Sequence, residues 1–136
     1  MSGLITYIFF VLFTGAIKDK KSKSYRIFLK RGKAMSIKKQ YLKTGPICKV
    51  TFRLTKEEAC DAKRVFLVGE FNNWNEADTP MKALKKGGFT LTLDLDTGRE
   101  YQFRYFFDRL FWGNDPEADR YEYSSFGNCQ NSIVSL

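Results

Sequence analysis

Between Tyr101 and Phe107 the chain alternates without a break: Tyr101, Phe103, Tyr105 and Phe107 take every second place, and Gln102, Arg104 and Phe106 stand between them. Successive side chains of an extended strand point to opposite faces, so this period of two sets an aromatic face against a mixed one. The pattern recurs at Val50, Phe52 and Leu54, and at Phe89, Leu91, Leu93 and Leu95, with Thr, Asp, Lys or Arg in the alternate places. Three such half-buried strands supply inner layers for packed sheets. Val65 to Val68 is of another kind, a short unbroken apolar run ended by Gly69, Asn72, Asn73 and Asn75. It reads as a buried strand entering a polar loop, and a lone tryptophan, Trp74, lies among the loop's amides.

Turn residues punctuate the rest. Lys85-Lys86-Gly87-Gly88 reads as a hairpin turn, Asp96-Thr97-Gly98 as the end of a strand, and Asn114-Asp115-Pro116 and Phe126-Gly127-Asn128 as further turns before a closing strand at Ser132 to Leu136. About seven short strands at such intervals predict an all-β, immunoglobulin-like β-sandwich. A chain of 136 residues, 43% hydrophobic and 16% aromatic, has core material for that domain without disulfide staples, with something appended.

The net charge of +8 is unevenly spread. Residues 1–46 hold eleven Lys and Arg against one Asp, whereas residues 47–136 hold twelve against fourteen Asp and Glu. A basic footprint is therefore missing from the predicted domain, and no nucleic-acid partner is expected. Leu4 to Ile17 is apolar and uncharged, and a basic stretch from Lys18 to Lys33 follows. That run is short for a membrane span and lacks the basic start of a signal peptide. Two readings stay open for residues 1–34: an anchor whose trailing lysines hold the domain on the cytoplasmic side of an inner membrane, or sequence upstream of a true start at Met35-Ser-Ile-Lys-Lys-Gln. Residues 35–46 read as a basic lead-in closed by Gly45-Pro46, and the domain is expected over 47–136. A membrane is a partner only under the anchor reading, and the cytoplasm is the expected location.

Cys48, Cys60 and Cys129 cannot all pair within one chain and match no metal spacing, so reduced thiols, no metal and no cofactor are expected. Histidine is absent, which removes the commonest general base. Two-carboxylate glycoside hydrolysis needs a facing acidic pair in a cleft. Asp115, Glu117 and Asp119 are clustered but read as a solvated loop, so no catalytic residue is expected.

The strand and loop Val65-Phe-Leu-Val-Gly-Glu-Phe-Asn-Asn-Trp-Asn, the strand Phe89 to Leu95 with its Asp-Thr-Gly turn, Tyr101-Gln-Phe-Arg-Tyr-Phe-Phe-Asp108, Trp112 before Asn114-Asp115-Pro116, and the terminal Asn131-Ser-Ile-Val resemble, in that order, the family 48 carbohydrate-binding module. This is the isoamylase N-terminal or early-set domain, found in glycogen-branching and debranching enzymes and in the β subunit of AMP-activated protein kinase. The resemblance implies non-catalytic binding of an α-glucan such as glycogen or starch. By position it implies that Trp74 and Trp112 stack on glucose rings, that Arg104 and Asn131 bond hydroxyls with Gln102 beside them, and that Phe126 wedges against the glucan. It also implies an alternative, an early-set module that partners a glycogen-metabolising enzyme without binding sugar; the glycoside hydrolase label that similar sequences carry comes from larger enzymes. Two features depart from the family pattern. The Asp108-Arg-Leu-Phe-Trp112 turn lacks the family's glycine and is one residue longer, and the Gly127 to Asn131 loop aligns with a shift that leaves Gln130 as a rival to Asn131.

The residues themselves agree with that chemistry in outline. A glucose ring presents patches of C–H bonds, and an indole face laid on them excludes water and adds dispersion, while amides and a guanidinium at the rim bond hydroxyls.

Overall fold

The alternating rows become strands β2 (Ile47–Leu54), β5 (Phe89–Asp96) and β6 (Glu100–Phe107), and the apolar run becomes β3 (Val65–Gly69). The structure, a computed structural model, describes residues 36–125 and 129–136; the expectations for residues 1–34 and for Phe126 lie outside the described residues. Around the four central strands stand β1 (Ile37–Tyr41), β4 (Lys82–Ala83), β7 (Phe111–Gly113), β8 (Arg120–Ser124) and β9 (Cys129–Ser135). One sheet has the order β1-β2-β5-β4 and the other β3-β6-β9-β8, with β7 also against β6. Every pairing is antiparallel. The result is the all-β, immunoglobulin-like sandwich that the alternation predicts.

The core forms where the aromatic row of β6 meets the apolar row of β2. Phe52 packs edge-on against Phe103 at 5.1 Å between ring centroids, and Phe103 against Tyr105 at 5.8 Å. Val50, Phe52, Leu54, Val65, Leu67 and Val134 complete a layer in which none is more than 1% exposed. Leu91 and Leu93 differ from the pattern. They belong to the inward row of β5 but are half-buried, because β4 pairs with β5 only as far as Thr90.

Two strands are illegible in the sequence. Residues 37–41, read as lead-in, form β1, with Ile37 opposite Phe52 and Lys39 opposite Val50. Ile37-Lys-Lys-Gln-Tyr41 has too few apolar residues to show a period, and its extended state comes from the hydrogen-bond ladder that β2 offers. Arg120 to Ser124, for which the sequence shows no strand pattern, is the edge strand β8, bonded to β9 along its length. An edge strand with both faces wet carries no hydrophobic alternation.

Asp115 corrects a further expectation. It is fully buried, not solvated. Its carboxylate accepts from Ser36 Oγ at 2.5 Å, Tyr105 Oη at 2.6 Å and the Glu117 N–H at 2.8 Å, while its own N–H donates to Ser132 Oγ at 2.8 Å. Burial pushes the Asp115 carboxyl above its ordinary range, and the bonds from Ser36, Tyr105 and Glu117 work against that push. The network joins the start of β1, the middle of β6 and β9 to the segment following β7.

A chain that begins at Met35 should keep the full cooperative melting transition, whereas one that begins at Ile47 loses β1 and leaves Asp115 without Ser36. Ser36→Ala alone should cost about 1–3 kcal/mol, the range for a buried acceptor deprived of a partner. Denaturant titration checks both, and an Ile47 fragment as stable as the longer chain would remove β1 from the folding unit.

Candidate functional site

The outward row of β6 is Gln102, Arg104 and Phe106, and the register of its neighbours decides what gathers there. Val68 and Phe66 of β3 lie opposite Arg104 and Phe106, and Trp112 of β7 lies opposite Phe106 from the other side. Phe66, Val68 and Phe106 form a small apolar cluster outside the main core, with Trp112 packed on it. The indole of Trp112 stacks on the Phe106 ring, 4.2 Å between centroids and 18° from parallel. Arg104 reaches over the same indole at 5.8 Å. Gln102 Oε1 accepts from Asn131 Nδ2 at 2.9 Å. Trp112, Arg104, Gln102 and Asn131 therefore share one face of the second sheet.

The register also separates Asn131 from its rival. Gln130 is the neighbouring residue on β9 and pairs with Tyr123, so its side chain takes the opposite face, and its carbonyl accepts from Asn114 Nδ2 at 3.0 Å. Cys129, two residues before Asn131, shares Asn131's face, and its sulfur accepts from Arg104 Nη1 at 3.3 Å. Sequence reasoning missed Cys129 and the platform role of Phe106. The period of two along β9 and β6 was the signal that held both.

The turn between β6 and β7 explains how Trp112 arrives opposite Phe106 without the family's glycine. Leu110 N–H bonds Phe107 C=O at 2.9 Å, and the two central residues, Asp108 and Arg109, have φ of 50° and 58°. This is a β-turn of the left-handed kind, where Asn-Gly is usual, and Leu110 follows it as a third loop residue before Phe111 pairs with Phe107. Asp108 tolerates it because its carboxylate caps the Lys63 and Arg64 N–H groups at 2.9 and 2.8 Å. Arg109 has no such compensation from its backbone, but its guanidinium lies over Phe66 at 5.5 Å, on the same outer face.

Trp74 comes from the loop after β3. Gly69 ends that strand opposite Phe103, and a Cβ there would stand 2.5 Å from Gln102 O, so only glycine lets β3 approach β6 so closely. A short 3₁₀ helix, Glu70–Asn72, follows. Glu70 Oε2 accepts from Gln102 N–H at 2.8 Å, which fastens the helix to β6. Asn72 staples the loop: its Oδ1 accepts from Gly69 N–H at 3.1 Å and its Nδ2 donates to Leu67 O at 3.1 Å and to Asn75 O at 3.3 Å. Asn73 and Trp74 then take consecutive left-handed conformations with φ of 55° and 57°, and Trp74 N–H returns to Gly69 O at 2.9 Å. A left-handed tryptophan is strained, and its side chain remains 38% exposed. The backbone anchors of the two tryptophans, opposite Phe103 and Phe106, are three residues apart on β6, roughly 10 Å along the strand. Phe126, the sixth predicted site residue, lies outside the described residues.

This face is open rather than hollow. A depression of about 290 Å³ lies elsewhere, lined by residues that include Lys56, Lys63, Leu84 and Phe89, and takes in none of the predicted site residues. The outer face of this antiparallel sandwich thus carries aromatics, amides and the two guanidiniums of Arg104 and Arg109. Comparison with protein-family models matches residues 49–124 to carbohydrate-binding module 48, the isoamylase N-terminal domain. The match spans more than half of the chain, and the chain belongs to this family of non-catalytic modules that bind carbohydrate. No curated protein matches the chain.

Replacing Arg109 by glycine should relieve the left-handed strain and stabilise the sandwich by about 1 kcal/mol. Thermal melts of Arg109→Gly against the parent chain check this, and a lower melting temperature would show that the contact with Phe66 outweighs the strain.

Proposed function

We propose that the chain binds an α-glucan of the glycogen or starch type on the outer face of the second sheet, and does so without acting on it. The observation that carries this reading is the convergence of Trp112, Arg104, Gln102 and Asn131 on one face; Trp74 is held in a strained, exposed loop that leaves β3 at Gly69. Trp112, braced by Phe106, and Trp74 act as the two stacking platforms, and Arg104, Gln102 and Asn131 bond hydroxyls between them. Affinity is weak in such an open site because few groups are desolvated and the ligand loses freedom. Asp115 fits no hydrolytic role, because it is sealed in the core by Ser36 and Tyr105. Three free thiols agree with a reducing compartment such as the cytoplasm. The leader is then either an anchor facing it or lies upstream of Met35.

A second reading takes the chain as a module that partners a glycogen-metabolising enzyme. It is favoured by Leu91 and Leu93, half-buried on a strand whose outer edge has no partner beyond Thr90 among the described residues. The two readings use different surfaces and separate cleanly by mutation.

Trp74→Ala and Trp112→Ala should each weaken retention on a glycogen-containing native gel by about tenfold or more, as loss of a central aromatic contact does. Trp74→Ala should leave stability within about 1 kcal/mol, while Trp112→Ala should cost about 0.5–1.5 kcal/mol more through the lost stack on Phe106. Arg104→Ala should weaken retention less than either. Unaltered retention in a folded double tryptophan variant would exclude this face as the glucan site.

A further inference from the structure

The register sets three aromatics side by side across the outer face, for Phe66 and Trp112 both lie opposite Phe106, one on each side of it. Trp112 covers Phe106, and the guanidinium of Arg109 stands over Phe66 at 5.5 Å from the ring centroid. Phe66 and Phe106 are each only 8% exposed, so this row offers a ligand the outer surfaces of the indole and the guanidinium rather than the phenyl rings. Strands β3 and β7 flank β6, roughly 10 Å apart, a distance that one glucose ring does not span. Arg109 is exposed, and among the described residues no carboxylate pairs with it. Asp108 beside it is already committed to the Lys63 and Arg64 N–H groups.

An arginine on the surface usually loses much freedom when it binds, and contact with a ring limits that loss beforehand. Its planar fork then presents parallel N–H donors, which neighbouring hydroxyls of one sugar can accept together. Glycine would relax the turn, yet Arg109 stands there at φ 58°. We propose that Arg109, seated on Phe66, is a further glucan contact, and that the face takes α-glucan chains long enough to reach from Trp112 across Phe106 to that guanidinium. This rests on the α-glucan reading above and names the chain length within it.

The test uses the full chain and two linear α-glucans, maltose and maltoheptaose, with affinities followed by chemical shift changes in NMR spectra. Arg109→Gly should weaken maltoheptaose binding by about tenfold, as loss of a bond to a charged donor predicts, and leave maltose binding unchanged. The same variant should melt at a higher temperature, so that affinity and stability move in opposite directions. Arg109→Lys should keep part of the maltoheptaose affinity, because the ammonium retains the charge without the fork. Arg99→Gln should keep all of it: that guanidinium also stands over a ring, at 4.5 Å, but the ring is Tyr101 of the inward row. In the wild-type chain the Arg109 Nε–H signal should shift as maltoheptaose is added. Equal maltoheptaose affinity in wild type and Arg109→Gly, or an unmoved Arg109 signal, overturns the proposal and leaves the α-glucan reading standing. A loss in Arg109→Gly that is equal for maltose and maltoheptaose overturns it too, because it marks a disturbed sheet rather than a missing contact. A wild-type chain that binds neither these sugars nor glycogen overturns both readings.

Discussion

Tyr101, Phe103, Tyr105 and Phe107 have to be kept from water, and that requirement orients everything on the other side of β6. Burying the row against Phe52 and its neighbours turns Gln102, Arg104 and Phe106 outward as a set. A slip of one residue in the pairing of β6 would exchange the two faces completely, so the core enforces the register of the candidate site. The partners on either side follow: β3 brings Phe66 and Val68 beside that row, β7 brings Trp112, and β9 brings Asn131 and Cys129. The candidate site is the reverse side of the most strongly determined strand in the molecule, so its register is set by the core.

Asp115 extends that order to the loops. A buried carboxylate is costly unless its lone pairs are met, and here Ser36, Tyr105 and the Glu117 N–H meet them together. Tyr105 ties the network to the aromatic row, and Ser132 ties it to β9. The segment after β7 is thereby fixed at one end while the Asp108-Arg109 turn fixes the other, and Trp112 is held between two anchored points. This carboxylate works as a structural fastener. Its chemistry is spent on hydrogen bonds inside the fold rather than on a substrate.

Left-handed backbone falls in three loops, at Cys60 and Asp61, at Asn73 and Trp74, and at Asp108 and Arg109. The last two loops present an indole and a guanidinium, the guanidinium over Phe66. Asn72 compensates in one loop with side-chain bonds to Gly69, Leu67 and Asn75, and Asp108 compensates in the other through Lys63 and Arg64. The molecule accepts local instability at positions that present an indole or a guanidinium, and restores it with an amide or carboxylate one or two residues away.

The sequence by itself determined the sandwich and which residues alternate on its strands. Period-two alternation at Val50–Leu54, Phe89–Leu95 and Tyr101–Phe107 is a local property, written in the order of residues, and it needs no knowledge of partners. The loop of Trp74 was legible for the same reason, because Gly69 and the asparagines are turn residues in their own right. What only the tertiary structure decided are matters of pairing. Trp112 sits flat on Phe106 because a turn built without glycine still brings Phe111 opposite Phe107, and Asn131 rather than Gln130 meets Gln102 because β9 docks in one register and not the next. Strands β1 and β8 are extended because neighbours offer them hydrogen bonds, and Asp115 is buried because Ser36, 79 residues earlier in the chain, closes over it. No window of sequence contains both partners of such contacts, and their energies arise only once the sheets have met.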